Sequence, residues 1–492
     1  MRIIAGFLIV AMLCLPIAGL AEDTIRQNRA LLVGVNEFLS QESTDFSSDN
    51  NVQDMAAALQ GGTMVFDTVL IPQEPVISTA MLGEWIQKAF GDADANDVSY
   101  LYLSTHGDHD ARGETVLLLS DGQTECGLTA AALEALFDGI AGTKIILLDA
   151  CYSGAFIGKG MREQPDTVCF RSADFKVLTS SGAMEESWYW NGQSSLAQGS
   201  FYFTQILAQG LSPRWDYPAD RNRDGAVTLT ELHRYLLQNH GASTPQLYPQ
   251  EDETVFFTYD TDAEITQEQS PILDVEFSDD VMNADDILTL TYTAVRPVRV
   301  AYQIVYFRDG RWQFDEAELL YDDAERFTAF GDLAGAVMPG RKVREISLNQ
   351  GEDDLYGYVL VQVLSLEDDV LTMQTGHVIT VIPTEGNLLL SVQTPADYQA
   401  AETMEMPIFV QHSLPCALSV TVVDADGQTV KRLSYRGSTR PLGIVPAGSC
   451  YYWNGCDQSG ERVSEGEYSV RVEAWIGDSV FSAMSNRIVI TR

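Results

Sequence analysis

Hydrophobic and polar positions follow two different patterns along this chain, and the change lies near residue 260. Between residues 28 and 257, short apolar runs such as Val98 to Leu103 and Lys144 to Leu148 alternate with segments of helical periodicity. One of these segments begins at Ser78 and Thr79, whose side chains are suited to cap a helix. Short buried strands separated by helices predict a mostly parallel sheet with helices on both faces.

The second half of the chain has a period of two, which is typical of β-strands. An acidic, polar linker around residues 261–271 separates it from the first half, and residues 287–293 show the alternation clearly. A second break near residue 385 divides this half in two. We therefore expect two all-β sandwich modules, over residues 271–382 and 387–492.

The first 21 residues have the composition of a secretory signal peptide. Arg2 provides a minimal charged start, an apolar stretch runs from Ile3 to Leu15, and small residues around Ala21 fit a cleavage site. An uncleaved membrane anchor is the alternative, although the stretch is short for a membrane span. We expect a secreted protein without a transmembrane segment once the signal is removed.

The charge and the cysteine content narrow the classes of partner and scaffold. A formal net charge of −40 argues against nucleic-acid binding and favours cations or basic peptides as partners. Seven cysteines in 492 residues are too few for a fold built on disulfides, and the sequence leaves their pairing open.

Two apolar strands of the first half end in residues that can carry chemistry together. His106 follows one of these strands and Cys151 follows the next predicted strand, and parallel strands bring their carboxyl ends to the same edge of a sheet. An imidazole beside a thiol can take up its proton and later protonate a leaving amine. The backbone N–H groups of Gly107 and Cys151 would then stabilise the oxyanion. A buried structural cysteine with an unrelated histidine is the alternative interpretation.

The residues around this pair resemble a known family. The segment from Ser104 to Gly107 and the segment from Asp149 to Gly154 are similar to the His-Gly and Asp-x-Cys-x-Ser-Gly motifs of metacaspases and bacterial caspase-like peptidases. The resemblance extends over residues 28–257. It implies an α/β caspase-like domain with a His–Cys dyad that cleaves peptide bonds.

Acidic residues near the nucleophile predict a preference for basic substrates. Asp149 lies two residues before Cys151, and the segment with Glu185 and Glu186 is similar to the acidic lining of the metacaspase substrate pocket. Carboxylates favour guanidinium and ammonium groups, so we expect cleavage after Arg or Lys. For the two glutamates, solvated surface charge is the alternative.

The loop after the nucleophile contains basic residues of its own. Lys159, Arg162 and Arg171 lie within residues 155–173, a region that is often cut during activation in similar proteins. An enzyme specific for Arg or Lys would be able to cut itself there. We expect self-processing in this loop.

Residues 220–231 fit the calcium-binding loop of an EF-hand at each ligand position. A sharp turn is expected at Gly225, a helix follows the loop, and Pro218 interrupts any helix before it. The alternative is a turn rich in Asp and Gly. The expected Ca²⁺ ligands are Asp220, Asn222, Asp224, the carbonyl of Ala226, Thr228 and Glu231.

The last module also has a resemblance. The segment from Tyr452 to Asp457 and the later Gly466 to Val472 are similar to the Ig-like module of the flagellar hook-capping protein. Either β module is a candidate for contact with carbohydrate, a cell surface or a partner protein, or it is a spacer.

Two functions from different classes are compatible with this organisation. The first is a secreted cysteine endopeptidase that acts on proteins or peptides with basic residues. The second is a cell-surface adhesion or scaffold protein with a catalytically silent caspase-like domain. The intact His106 and Cys151 favour the peptidase.

Overall fold

A computed structural model gives the fold of most of the chain. It describes residues 26–39, 48–161, 168–190, 200–239, 241–263, 268–314, 317, 319–321, 336–348, 356–367, 370–399, 405–439 and 448–491. The signal segment predicted at residues 1–21 and the predicted cleavage residue Arg162 lie outside these ranges.

The first half of the chain forms an α/β domain. Its strands are β1 (Asn28–Gly34), β2 (Thr68–Leu70), β3 (Val98–Ser104), β4 (Gly107–His109), β5 (Thr115–Ser120), β6 (Glu125–Leu128), β7 (Thr143–Asp149), β8 (Phe175–Thr179), β9 (Tyr189–Trp190), β10 (Ser200–Phe201), β11 (Ala226–Thr228), β12 (Gln246–Tyr248) and β13 (Val255–Thr258). Its helices are α1 (Ser48–Gln60), α2 (Thr79–Phe90), α3 (Ala130–Ala135), α4 (Tyr202–Gly210) and α5 (Leu229–Asn239), with short 3-10 helices at Ser153–Ile157 and Pro213–Trp215.

The central sheet has the strand order β12-β8-β7-β3-β1-β2. All neighbours in it are parallel except β12, which pairs antiparallel with β8. Successive residues of a strand point to opposite faces, so Tyr102 and Leu147 join the core under α1, α4 and α5, whereas Leu103 and Leu148 join the core under α2 and α3. The predicted parallel sheet, buried on both faces, is confirmed.

The predicted helix start at Ser78 illustrates how local sequence defines an element. The Ser78 hydroxyl accepts a hydrogen bond from the backbone N–H of Met81 at 3.2 Å and caps α2. The apolar face of α2 then buries Leu82, Ile86 and Ala89 against the sheet.

Residues 272–382 form the middle module, a sandwich of two sheets. One sheet has the order β14-β16-β20, and the other has the order β15-β22-β21-β17-β18 with β19 paired to β17. The strands are β14 (Ile272–Phe277), β15 (Val281–Asn283), β16 (Ile287–Ala294), β17 (Arg299–Arg308), β18 (Arg311–Trp312), β19 (Leu319–Tyr321), β20 (Gly340–Ser347), β21 (Gly357–Glu367) and β22 (Val370–Ile382).

Residues 388–491 form the C-terminal module, a second sandwich. Its sheets have the orders β23-β25-β28 and β24-β31-β29-β26-β27, with β30 paired to β29, and Trp453 is fully buried between them. The strands are β23 (Leu390–Gln393), β24 (Asp397–Gln399), β25 (Met406–His412), β26 (Ala417–Asp424), β27 (Thr429–Gly437), β28 (Gly448–Trp453), β29 (Gly466–Ile476), β30 (Ser479–Met484) and β31 (Ile488–Thr491). The predicted two all-β modules are confirmed.

Both modules contact the α/β domain. The Gln209 amide on α4 donates a hydrogen bond to the carbonyl of Met373 in the middle module at 2.7 Å. The C-terminal module forms an ion pair between Lys431 and Glu251, with 3.2 Å between the charged atoms. The α/β domain therefore packs against β structure from both modules.

Candidate active site

The two residues predicted to react lie at neighbouring strand ends. Strands β3 and β7 are adjacent and parallel, and their register sets Ser104 opposite Asp149. His106 and Cys151 each follow two residues later, so both leave the sheet at the same level. The Thr105 N–H donates a hydrogen bond to the Asp149 carbonyl at 3.2 Å, which extends the strand pairing to the edge of the site.

Gly107 brings the two loops into close contact. A Cβ atom at this position would lie 1.8 Å from the carbonyl oxygen of Cys151, which no side chain can tolerate. The backbone after His106 therefore runs directly against the backbone of the nucleophile. Tyr152, the next residue, has a φ of 60°, in the left-handed region that non-glycine residues seldom adopt.

The His106 ring is held by elements on both sides of it. It packs edge-on against Phe38, which follows β1, with 4.3 Å between the ring centroids. The His106 carbonyl accepts a hydrogen bond from the Leu118 N–H on β5 at 2.9 Å. The aromatic contact limits how far the imidazole can rotate.

The Cys151 sulfur is in contact with Ser187. The Ser187 N–H donates a hydrogen bond to Sγ at 3.3 Å, and the Ser187 carbonyl lies 3.6 Å from the same atom. Burial raises the pKa of the Cys151 thiol to about 12, and the negative charges of Glu186 and Asp149 act in the same direction against the Ser187 hydrogen bond. The thiol is therefore neutral at rest in this conformation.

Asp149 lies beneath the nucleophile, at the end of β7, and is 0% exposed. Its carboxylate accepts hydrogen bonds from Thr204 Oγ1 at 2.7 Å and from Ser187 Oγ at 3.3 Å, with the Tyr102 hydroxyl at 3.5 Å. Burial raises the Asp149 pKa to about 6, and these hydrogen bonds oppose the rise. The group is thus mostly ionised at neutral pH.

Glu185, which the sequence predicts to line the substrate pocket, is held by other residues of the protein. This residue is 6% exposed, and its carboxylate is engaged by the protein itself. Oε1 accepts from Thr244 Oγ1 at 2.8 Å, and Oε2 accepts from the N–H groups of Gly182 and Thr244 at 2.9 and 3.0 Å. Because three donors hold this carboxylate, it fastens the segment after β8 in this conformation, and its role in substrate binding stays a prediction.

Glu186, the next residue, differs from Glu185 in its surroundings. It is exposed, and Oε1 accepts a long hydrogen bond of 3.5 Å from the Tyr152 hydroxyl. Its charge acts on the Cys151 thiol. The structure therefore places Glu186 beside the nucleophile with its carboxylate open to solvent.

Sequence reasoning missed the parts played by Ser187 and Thr204. Ser187 contacts both the sulfur of Cys151 and the carboxylate of Asp149, while Thr204 on α4 donates the shortest hydrogen bond to Asp149. Neither residue lies in a motif with Cys151. A buried carboxylate needs hydrogen-bond donors, so the sequence predicts that such partners exist. It does not predict at which positions they lie.

The predicted calcium loop has part of the expected geometry. Gly225 has a φ of +86°, β11 pairs with β13 across the second half of the loop, and Glu231 lies in the first turn of α5. Asp220 is buried, and its oxygens accept from the N–H groups of Arg223 and Gly225 and from the Tyr259 hydroxyl.

The carboxylates of this loop do not converge. Glu231 Oε2 accepts from the N–H and the hydroxyl of Thr228, each at 3.1 Å, and Asp224 bonds to Asn222. Within the described residues, no three His, Cys, Asp or Glu side chains are grouped so that they can hold a metal ion. The backbone thus fits an EF-hand loop, whereas the side chains would have to rotate to bind Ca²⁺.

Two of the basic residues predicted as self-cleavage sites, Lys159 and Arg171, are held by contacts with other residues. Lys159 is 2% exposed and forms an ion pair with Glu405 of the C-terminal module. The guanidinium of Arg171 packs over the Tyr248 ring at 4.3 Å and donates to the Ile157 carbonyl. In this conformation the Lys159 side chain is enclosed, which argues against cleavage after this residue.

Comparison with known proteins finds family matches for two parts of the chain. Residues 27–255 match the family described as Caspase domain, and residues 405–478 match the FlgD Ig-like domain. The chain contains a caspase-like domain and, after it, an Ig-like module. The α/β domain is thus a caspase domain, a fold of cysteine peptidases, as the resemblance predicted. No curated protein matches the chain at a significant level.

Solved structures with detectable similarity cover about half of the chain. Caspase-1 from Spodoptera frugiperda is 15% identical with a TM-score of 0.31, over 45% of this chain and 86% of that one. The dimeric latent PorU from Porphyromonas gingivalis is 13% identical with a TM-score of 0.19, over 50% and 24%. A BSP domain of a biofilm associated protein is 7% identical with a TM-score of 0.14, over 45% and 30%.

Two further observations concern membrane-spanning helices and cysteines. No helix in the described part of the chain has the length and apolar composition needed to span a membrane. The six cysteines in that part, including Cys151, are free thiols.

Proposed function

We propose that the protein is a cysteine endopeptidase that cleaves peptide bonds after Arg or Lys, with Cys151 as nucleophile and His106 as acid–base partner. The observation that carries the proposal is the position of these two residues, which leave adjacent strands at the same level. The caspase domain supplies the reaction class, since that fold is one of cysteine peptidases.

The reaction begins with a neutral thiol. Because burial raises the Cys151 pKa to about 12, the proton must leave as the sulfur attacks, and the His106 imidazole is the acceptor on the neighbouring strand end. The sulfur bonds to the carbonyl carbon, and the Gly107 and Cys151 N–H groups receive the developing oxyanion. The imidazolium then protonates the leaving amine as the C–N bond breaks, and water hydrolyses the thioester.

Asp149 and Glu186 support the preference for basic residues. Asp149 provides a buried negative charge beneath the nucleophile, and Glu186 provides a second one in contact with solvent. A guanidinium or ammonium group bound beside these two carboxylates would exchange contacts with water for contacts with negative charges. An acidic side chain would be repelled there. Ser187 must release Asp149 in part for a direct contact, since its hydroxyl now occupies one carboxylate oxygen.

We also propose secretion and calcium binding. Secretion is supported by the composition of residues 1–21. Calcium is supported by the backbone of residues 220–231, with Glu231 in the first turn of α5 where it would supply the last ligand. The ion would stiffen the loop before β11 and fasten it to the first turn of α5. Self-processing in residues 155–173 is proposed only for sites other than Lys159.

The decisive experiment measures hydrolysis of fluorogenic peptides that end in Arg, Lys, Asn or Asp. We expect turnover of the Arg and Lys peptides, and a loss of at least about 10³-fold in kcat for Cys151→Ala. The Cys456→Ala variant is a matched control, because it removes a thiol whose hydrogen bond, to the Asn454 carbonyl, lies within the C-terminal module. Absence of turnover by intact and processed protein would reject the peptidase and favour the scaffold. Cleavage after Asn or Asp alone would reject the acidic pocket.

A further inference from the structure

The segment that follows the nucleophile carries a lysine withdrawn from solvent. Lys159 lies eight residues after Cys151 and is 2% exposed, which is rare for a lysine. Its ammonium forms an ion pair with the Glu405 carboxylate at 2.6 Å, and Glu405 is itself 5% exposed. Because Glu405 belongs to the C-terminal module, this buried charge pair joins the module to residues 152–161, which we call the nucleophile segment.

Other contacts converge on the same place. Lys159 Nζ donates to the Leu247 carbonyl at 2.5 Å and lies 4.6 Å from the centre of the Tyr452 ring. The Gly160 N–H donates to the Tyr452 hydroxyl at 2.7 Å, and Cys450 Sγ donates to the Met161 carbonyl at 3.1 Å. Three consecutive residues of the segment are therefore bonded to the C-terminal module.

The backbone of Lys159 leads back to the site. Its N–H donates to the Gly154 carbonyl at 2.9 Å, and its carbonyl accepts from the Ala183 N–H at 2.8 Å. Gly154 closes the turn after Cys151, and Ala183 belongs to the segment that delivers Ser187 to the sulfur. One residue thus connects the turn carrying the nucleophile with the segment that covers it.

The packing here leaves little room for adjustment. A Cβ on Gly160 would lie 2.6 Å from the Gly182 Cα, and a Cβ on Gly154 would lie 2.7 Å from the Lys159 carbonyl oxygen. Backbones in direct contact transmit a displacement rather than absorb it. A shift of Lys159 would therefore displace both the turn that carries Cys151 and the segment that carries Ser187.

We propose that Lys159 is a positioning residue through which the C-terminal module fixes the nucleophile segment, so that this module is part of the working peptidase rather than a spacer. The proposal rests on the peptidase function proposed above. It also gives a reason for the basic residue at position 159 to escape cleavage, since its side chain is enclosed by the module.

The test compares Lys159→Met with Lys431→Met. Both remove a lysine from an ion pair between the same two domains, and both pairs border the same cavity, but Lys431 pairs with Glu251 whereas Lys159 belongs to the nucleophile segment itself. For Lys159→Met we expect kcat on an Arg peptide to fall at least about tenfold with KM nearly unchanged, because misplacement of reacting groups acts on the rate. We expect wild-type kcat for Lys431→Met.

A second variant separates positioning from loss of folding. Lys159→Met leaves Glu405 buried without its partner, so the double variant Lys159→Met, Glu405→Leu replaces the pair by apolar side chains and should recover the thermal stability. We expect its kcat to stay low, because methionine and leucine pack together without the directed ion pair that holds position 159 against the C-terminal module. Recovery of kcat together with stability would show a purely structural pair and overturn the proposal, as would an equal effect of Lys431→Met.

Hydrogen exchange provides a readout that does not depend on peptidase activity. In Lys159→Met the amides of Gly154, Lys159 and Ala183 should exchange faster than in the wild type, while the amides of the distant β16 stay unchanged. Unchanged exchange at these three amides would overturn the coupling. If the wild type cleaves no peptide, the peptidase proposal fails, and the exchange comparison still decides whether the module holds the segment.

Discussion

At the scale of single residues, the site is defined by what surrounds each reactive group. Asp149 is buried, Cys151 is partly buried, and Ser187 bonds to both. The Ser187 N–H acts to lower the pKa of the Cys151 thiol against the burial that raises it, and the Ser187 hydroxyl occupies one oxygen of the Asp149 carboxylate. A substrate that contacted the sulfur or this carboxylate would therefore compete with Ser187.

The raised pKa of Asp149 predicts a specific pH dependence of substrate preference. Asp149 loses its charge as the pH falls through about 6, so its attraction for a guanidinium weakens below that pH. The ratio of kcat/KM for an Arg peptide to that for the uncharged citrulline peptide should therefore fall as the pH goes from 7 to 5. Any titration that affects both substrates cancels in this ratio.

The matched control for this dependence is Asp149→Asn, which has no charge to lose. Its ratio should be low and constant over the same range of pH. A wild-type ratio that does not change between pH 5 and 7 would exclude Asp149 as the group that recognises the basic residue.

At the scale of elements, strands and their ends were predictable, whereas side-chain partners were not. Apolar runs ending at Ser104 and Asp149 identify β3 and β7, and parallel pairing then brings His106 and Cys151 to one edge. No such pattern predicts the surroundings of Glu185, because an acidic residue near Cys151 has the same local sequence whether it faces a substrate or bonds to Thr244. Its partner is set by the tertiary fold alone.

The segment of residues 220–231, which leads through β11 into α5, gives a prediction about stability. If residues 220–231 bind Ca²⁺, the ion should raise the temperature of unfolding, and a chelator should reverse the effect. Glu231→Gln should abolish this shift because it removes the bidentate carboxylate, whereas Glu251→Gln should preserve it. Thermal unfolding over about 10⁻⁵ to 10⁻² M Ca²⁺ covers the affinities of such loops. A shift that persists in Glu231→Gln would place the ion elsewhere.

At the scale of the whole molecule, the two β modules reach the site from different segments. The C-terminal module holds Lys159 and Gly160, while the Trp188 ring, next to Ser187, packs against Phe314 of the middle module with 4.8 Å between the ring centroids. Gly160 and Tyr452 lie 292 positions apart in sequence. No local pattern predicts contacts over such separations. The sequence therefore indicated independent modules, whereas the structure shows contacts between both modules and the segments next to Cys151.

The net charge of −40 supplies the last prediction, since it acts on every approaching substrate. A field of this sign attracts peptides rich in Lys and Arg and raises their rate of encounter, and salt screens it beyond about 8 Å at physiological ionic strength. The value of kcat/KM for a peptide with several basic residues should therefore fall several-fold between about 0.02 and 0.5 M NaCl. A peptide with a single Arg at the cleavage site should lose less, because its one charge is read at short range by Asp149. Parallel salt dependences of the two peptides would mean that the charge of the whole molecule plays no part in choosing substrates.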